Sequence, residues 1–230
     1  MAALNIQIQP AFAVPLVTTV LPQPEALNAQ LRALFLARES EGERYRKQDK
    51  TPTHQVNIFE SEFNLFAWPD PPVQQLRGFC LAALSQAVMQ LNEFSPQQQQ
   101  ALSSLKLMVD CWFHVTRFGG YIANHMHPMA SWSGVYCVDP GDTPPERPDS
   151  GSLVFTDPNP AFGAYRDPGN VRLRAPYSAG NLVYKQKAGD LLLFPSHLPH
   201  ETAPFFGRGE RITVAFNCAF VRPEGTVFGF

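Results

Sequence analysis

The residues whose types and spacing could do chemistry are His125-Met126-His127-Pro128 and, far downstream, His200-Glu201-Thr202-Ala203-Pro204. In an extended strand, residues i and i+2 face the same side, about 7 Å apart along the backbone. His125 and His127 can therefore converge on one cation. Taken alone, an HxH pair is a weak signal, and a metal-free surface pair is the alternative. Its surroundings strengthen it: Gly119, Gly120 and Asn124 precede the pair and Pro128 fixes the chain after it. A third ligand must come from elsewhere. His200, just past the run GDLLLFP, is the candidate, and His197 on the preceding turn is its competitor. Imidazole ligands suit iron, zinc, copper or nickel. His54, in a polar loop, and His114, inside an apolar run, read as structural or surface residues.

Arg211 adds a second kind of chemistry. It begins RITVAFN, where Ile212, Val214 and Phe216 alternate with Arg211, Thr213 and Ala215. Arg211 and Thr213 thus share one face of a strand. A guanidinium and a hydroxyl pointing into a barrel imply a carboxylate ligand, bound bidentately by the arginine with the threonine adding a contact. The alternative is an arginine at a strand edge with a surface partner.

These residues sit on runs of strand character. After about Lys106 come LKLMVDCWFHVTRF, SWSGVYCV, GSLVFTD, NLVYK, GDLLLFP and RITVAFNCAFV, separated by Gly, Pro, Asp or Asn. The runs are rich in Val, Phe, Tyr and Thr, and no long helix intervenes, which predicts an antiparallel β-sandwich or barrel. Before residue 106 the pattern is mostly helical. Leu27, Leu31, Leu34 and Phe35 predict a helix from Glu25 to about Glu39. The stripe from Leu76 to Leu91 predicts a second, starting near Val73 behind Pro69, Pro71 and Pro72. Ser95 is read as the N-cap of a short third helix with Pro96 at its first position. The segment over residues 5–20 predicts a strand, either IQIQ or FAVPLVTTV, and residues 41–51 a polar loop. No repeat or linker divides the chain. The expectation is one domain over 1–230, with 1–105 as helical support outside a core at 106–222.

Composition excludes some functions. With 230 residues and 44% hydrophobic content the chain can bury one sizeable core. A net charge of -2 provides no field for nucleic acid or a membrane surface. No apolar run reaches the roughly 18 residues of a membrane span. The N-terminus lacks the basic and long apolar regions of a signal peptide. Cys80, Cys111, Cys137 and Cys218 are scattered without a CxxC, which predicts buried free thiols in a reducing cytoplasm.

The segments YIANHMHPMASWSGVYCV (121–138), GSLVFTDP (151–158), GDLLLFPSHLPHETAP (189–204) and ERITVAFN (210–217) resemble, in order and spacing, the 2-oxoglutarate- and iron(II)-dependent oxygenases. They are most similar to a bacterial and phage subgroup with an HxHP…SGVYY-type segment. The resemblance covers about residues 105–220. It implies a mainly β fold, a double-stranded β-helix or jelly-roll barrel, with the metal at one open end. It implies His125 and His200 as iron(II) ligands, Arg211 as the group that binds the far carboxylate of the co-substrate 2-oxoglutarate, and Thr213 as its hydroxyl partner. The wider superfamily places a carboxylate where this chain has His127: either three histidines bind the metal, which is the expected set, or a carboxylate such as Asp157 or Glu201 takes the place of His127. Three neutral imidazoles leave the metal its full dipositive charge, which favours a dianionic co-substrate.

The implied reaction is hydroxylation of a small-molecule or amino-acid-type substrate by dioxygen, with release of succinate and carbon dioxide. Two other readings stay open: a cupin-type metalloenzyme that does not use 2-oxoglutarate, and a non-catalytic jelly-roll binding protein. Trp132, Phe155, Tyr165 and Phe205 are candidates to line the pocket, or ordinary packing residues. The loops 139–150 and 159–181 are irregular and are read as lying beside the pocket mouth, where substrate choice is set. The sequence leaves oligomeric state open.

Overall fold

A long strand interior buried on both faces dictates the architecture. In the computed structural model, which describes residues 4–49, 53–102, 105–159, 161, 164 and 166–221, strand β3 runs from Lys106–His125. Its residues Cys111 through Thr116 are buried without a break. Period-2 alternation with every position buried requires cover on both sides. Cys111, Phe113 and Val115 join one apolar cluster, and Trp112 belongs to another.

Strands β1 (Val17–Val20), β2 (Gln55–Glu60), β4 (Trp132–Asp139), β5 (Leu153–Phe155), β6 (Leu182–Tyr184), β7 (Asp190–Pro195), β8 (His200–Thr202) and β9 (Arg211–Val221) complete one antiparallel sheet. Its order is β1-β7-β4-β9-β3-β8-β5-β6, with β2 paired to β3. The non-sequential neighbours curl the sheet into the double-stranded β-helix. The same division by parity recurs along the strands. Ile212, Val214 and Phe216 of β9, Leu191 and Leu193 of β7, and Tyr136 of β4 enter the first cluster. Leu192, Phe194, Val135 and Ala215 enter the second.

Helix α1 (Glu25–Ser40) and helix α2 (Pro71–Leu91) cover the first cluster from outside. Leu27, Leu31 and Phe35 form the buried face of α1, and the ring of Phe35 stacks on Phe113 at 4.3 Å. Tyr136 donates its hydroxyl proton to Asn28 Oδ1 at 2.7 Å, which ties α1 to β4. Two prolines open α2, where their missing N–H groups cost nothing. In α3 (Pro96–Leu102) the Gln98 N–H is 3.3 Å from Ser95 Oγ, and the Ser95 N–H donates to Gln98 Oε1 at 2.8 Å. That reciprocal pair is a capping box, with Ser95 as the cap the sequence indicates.

Two local expectations are corrected. Of residues 5–20, the strand is confined to Val17–Val20, within the second of the two expected runs. IQIQ forms no strand, and Ile6 is 72% exposed. An alternating segment without a neighbouring strand has no ladder to join. Strands β2 and β8 went unforeseen. Asn57 at φ 49° breaks the register of β2 against β3, which disrupts the alternation a strand shows in sequence. Strand β8 is three residues long, all of them polar or charged.

Candidate metal centre

Position in the sheet brings the three histidines together. His125 is the last residue of β3 and pairs with His200, the first residue of β8. His127 lies just past β3, held by its N–H to the Ser196 carbonyl at 3.0 Å. The ring centroids of His125 and His200 are 4.4 Å apart, those of His125 and His127 4.9 Å, and those of His127 and His200 5.1 Å. One ligand atom from each lies within 4.8 Å of the others, a separation that suits a shared cation. His197 is exposed on its turn and stands outside the group.

The protonation of the rings suits ligation. His125 Nδ1 is 2.8 Å from the Ala123 carbonyl, and His200 Nδ1 is 2.9 Å from the Leu198 carbonyl. A carbonyl only accepts, so each Nδ1 donates and each Nε2 is left with its lone pair. Carbonyl partners of this kind fix the tautomer of metal-binding imidazoles. Burial lowers the pKa of all three rings. His200 falls to about 4 and His127 to about 3, the neighbouring histidines adding to the effect of burial. All three are neutral at physiological pH.

Strand β9 supplies the rest of the pocket. Arg211 and Thr213 line the same cavity as the three histidines, on the face of β9 opposite Ile212 and Val214. Arg211 is 4% exposed, and its Nη2 has no hydrogen-bond partner. A strand-edge arginine with a surface partner is therefore ruled out. Burial pushes the guanidinium pKa down. Gly151, at φ +65°, lets the backbone pass close by; a Cβ there would lie 2.8 Å from Arg211 Cδ.

The two carboxylates considered as ligands stand elsewhere. Asp157 accepts the N–H groups of Asn159 and Gly180, each at 2.8 Å, and so closes the base of the loop that follows β5. Glu201 lies between His200 and Thr202, whose side chains face the cavity, so strand parity turns it to the other side.

Of the aromatic candidates, Trp132 packs against the helix-side core, Phe155 lies edge-on to Phe194 at 4.9 Å, and Phe205 is fully buried. None of the three lines the cavity, and Tyr165 lies outside the described residues. The aromatic lining comes instead from Trp112, Phe194 and Phe216. Trp112, His114 and Asn217 also face the cavity and were not singled out. Parity contained the signal for Asn217, which shares its face of β9 with Arg211 and Thr213. His114 pairs with Thr213 across the sheet, a relation the sequence alone does not supply.

Residues 110–217, which contain all five site residues, match the family described as "Putative 2OG-Fe(II) oxygenase". Solved structures share the fold. A prolyl-4-hydroxylase from Pseudomonas putida superposes with a TM-score of 0.55 at 19% identity, covering 91% of this chain and 94% of that one. A Trichoplax adhaerens prolyl hydroxylase, solved with a hypoxia inducible factor peptide fragment, gives 0.56 at 11% identity over 88% and 82%. The epimerase SnoN, solved with Fe3+, alpha ketoglutarate and nogalamycin RO, gives 0.55 at 12% identity over 93% and 84%. No curated protein sequence matches the chain. The barrel segment, residues 110–217, is thus similar to the 2-oxoglutarate- and iron(II)-dependent oxygenases. The protein is accordingly a non-haem iron enzyme that uses iron(II), 2-oxoglutarate and dioxygen. Among the described residues, no helix is long and apolar enough to cross a membrane.

Proposed function

We propose that His125, His127 and His200 hold the iron(II), that Arg211 and Thr213 bind the far carboxylate of 2-oxoglutarate, and that the enzyme hydroxylates a small-molecule or amino-acid-type substrate. The observation that carries this reading is the buried Arg211, its Nη2 without a hydrogen-bond partner, in the cavity of three neutral imidazoles. A buried cation without a partner costs several kcal/mol. A carboxylate entering the cavity offsets that cost, and Thr213, 2% exposed, stands two residues away on the same face to donate a further hydrogen bond. A cupin-type enzyme that has no use for 2-oxoglutarate leaves this arginine unexplained.

Each residue has a defined task. The Ala123 and Leu198 carbonyls hold His125 and His200 in the ligating tautomer. Arg211 and Thr213 orient the co-substrate by its remote end. Trp112, Phe194 and Val135 keep the cavity wall apolar and exclude water. Bound iron(II) with 2-oxoglutarate supplies the oxidising power, as the co-substrate is decarboxylated to succinate and carbon dioxide. The loop after β5 is anchored beside the centre, because the Thr156 N–H donates to the Pro199 carbonyl next to His200. Its placement supports a role in substrate choice. Four buried free cysteines fit a reducing compartment, and we assign the enzyme to the cytoplasm on that chemistry.

Succinate release tests the reading. Iron(II)-loaded protein given 2-oxoglutarate and oxygen produces succinate, slowly even without substrate, and Arg211→Ala produces little at the same co-substrate concentration. Equal succinate from both proteins overturns the assignment of Arg211.

A further inference from the structure

A buried polar chain behind the candidate centre is absorbed by none of the roles above. His114 Nε2 lies 2.9 Å from Glu60 Oε2 and 3.1 Å from Trp112 Nε1. All three residues are buried, with Glu60 and His114 each 6% exposed. Glu60 comes from β2, opposite His114 in the β2–β3 register. His114 and Trp112 line the cavity, and the Trp112 ring lies 6.0 Å from that of His127. On the outer side, Lys47 Nζ is 4.0 Å from Glu60 Oε1 and 3.7 Å from the centre of the Phe63 ring, which itself stacks on Trp112.

The arithmetic of protons makes the chain directional. An indole N–H only donates and an ionised carboxylate only accepts, so the one nitrogen between them serves one or the other. With Glu60 ionised, His114 Nε2 carries the proton and donates it to Oε2. With Glu60 neutral, the indole N–H competes for the Nε2 lone pair. Lys47 on the Oε1 side favours the ionised form. Glu60 thus stands as a carboxylate in low dielectric behind the group of three imidazoles, joined to the cavity wall through His114.

We propose that Glu60, held by His114, is a positioning residue that supplies from behind the cavity the negative charge which a carboxylate ligand would otherwise bring to the metal. The inference rests on the assignment of His125, His127 and His200 as ligands. Three imidazoles leave a divalent metal uncompensated by one unit relative to a set with one carboxylate, and Glu60 provides that unit without occupying a coordination position. Lys47 trims its strength, so the two side chains act on the metal with opposite signs.

Equilibrium binding of cobalt(II), followed by its visible absorption in the full-length protein without co-substrate, tests this. Glu60→Gln keeps the shape and removes the charge, and is expected to weaken cobalt(II) binding about tenfold or more, within the range seen for groups that support metal ligands. Glu60→Asp recovers part of the loss. Lys47→Met is expected to tighten binding. A merely structural role shifts the melting temperature of these variants but cannot move affinity in opposite directions. Wild-type binding that disappears in His200→Ala, together with an unchanged affinity in both Glu60→Gln and Lys47→Met, overturns this inference and leaves the ligand set standing. Failure of the wild type to bind cobalt(II) overturns both.

Discussion

Replacing Arg211 by Met separates what the residue does for binding from what it costs the fold. The guanidinium is 4% exposed, its Nη2 is unpartnered, and its charge adds to burial in lowering the pKa of Lys185. Removing a buried charge in favour of an apolar chain of similar length commonly stabilises by about 1–4 kcal/mol. For a chain of this size each kcal/mol raises the melting temperature by about 2–4 °C. The apo variant is therefore expected to melt several degrees above the wild type. Binding moves the other way. A bidentate guanidinium–carboxylate pair carries two charge-assisted hydrogen bonds, together worth about 3 kcal/mol or more. Its loss weakens 2-oxoglutarate binding by roughly a hundredfold. Thermal scans of metal-loaded protein with increasing 2-oxoglutarate read both effects. The wild type gains stability with each increment of ligand and Arg211→Met gains none in the same range. An apo variant that is less stable than the wild type yet keeps its co-substrate affinity would refute the reasoning, because Arg211 would then be a packing residue.

Three further outcomes follow from the same structure. His200 has its pKa depressed from the ordinary histidine value to about 4, so between pH 6.5 and 4 the unfolded chain takes up a proton that the folded one refuses. Apo stability therefore falls on acidification across that window, by about 3 kcal/mol from this residue alone, and urea midpoints at pH 7 and pH 4.5 that coincide contradict it. Gly151→Ala places a methyl group 2.8 Å from Arg211 Cδ at a φ of +65°, so it should destabilise by about 1–3 kcal/mol and raise the KM for 2-oxoglutarate; a variant with wild-type values for both counts against the placement of the guanidinium. His197 is exposed and outside the histidine group, so His197→Ala retains metal stoichiometry by elemental analysis while His200→Ala loses it.

Much of this fold is legible in the chain because its strands announce themselves by parity. RITVAFN reads correctly as one face of core and one face of pocket, since Ile212, Val214 and Phe216 do pack beneath the helices while Arg211 and Thr213 line the cavity. The helices α1 and α2 are legible for a similar reason, their apolar stripes being as wide as the surfaces they cover. The histidine group was reachable through motif order, although HxH alone is weak. What stayed hidden depends on pairing between distant segments. His114 looks like a stray polar residue in an apolar run until β2 brings Glu60 beside it and β9 brings Thr213. IQIQ has the alternation of a strand and no partner, so it forms none. Asp157 sits in the right stretch of sequence for a ligand, but its carboxylate is occupied by backbone N–H groups of its own loop.

The central claim is that three neutral histidines and one buried arginine jointly bind iron(II) and 2-oxoglutarate. Anaerobic addition of iron(II) and then 2-oxoglutarate to the purified protein, followed by visible absorption, tests it most directly. The expected result is a charge-transfer band that needs both additions, is absent in His125→Ala, His127→Ala and His200→Ala, and requires far more 2-oxoglutarate in Arg211→Met. A wild-type protein that shows no such band, or a band that survives loss of His127, contradicts the account.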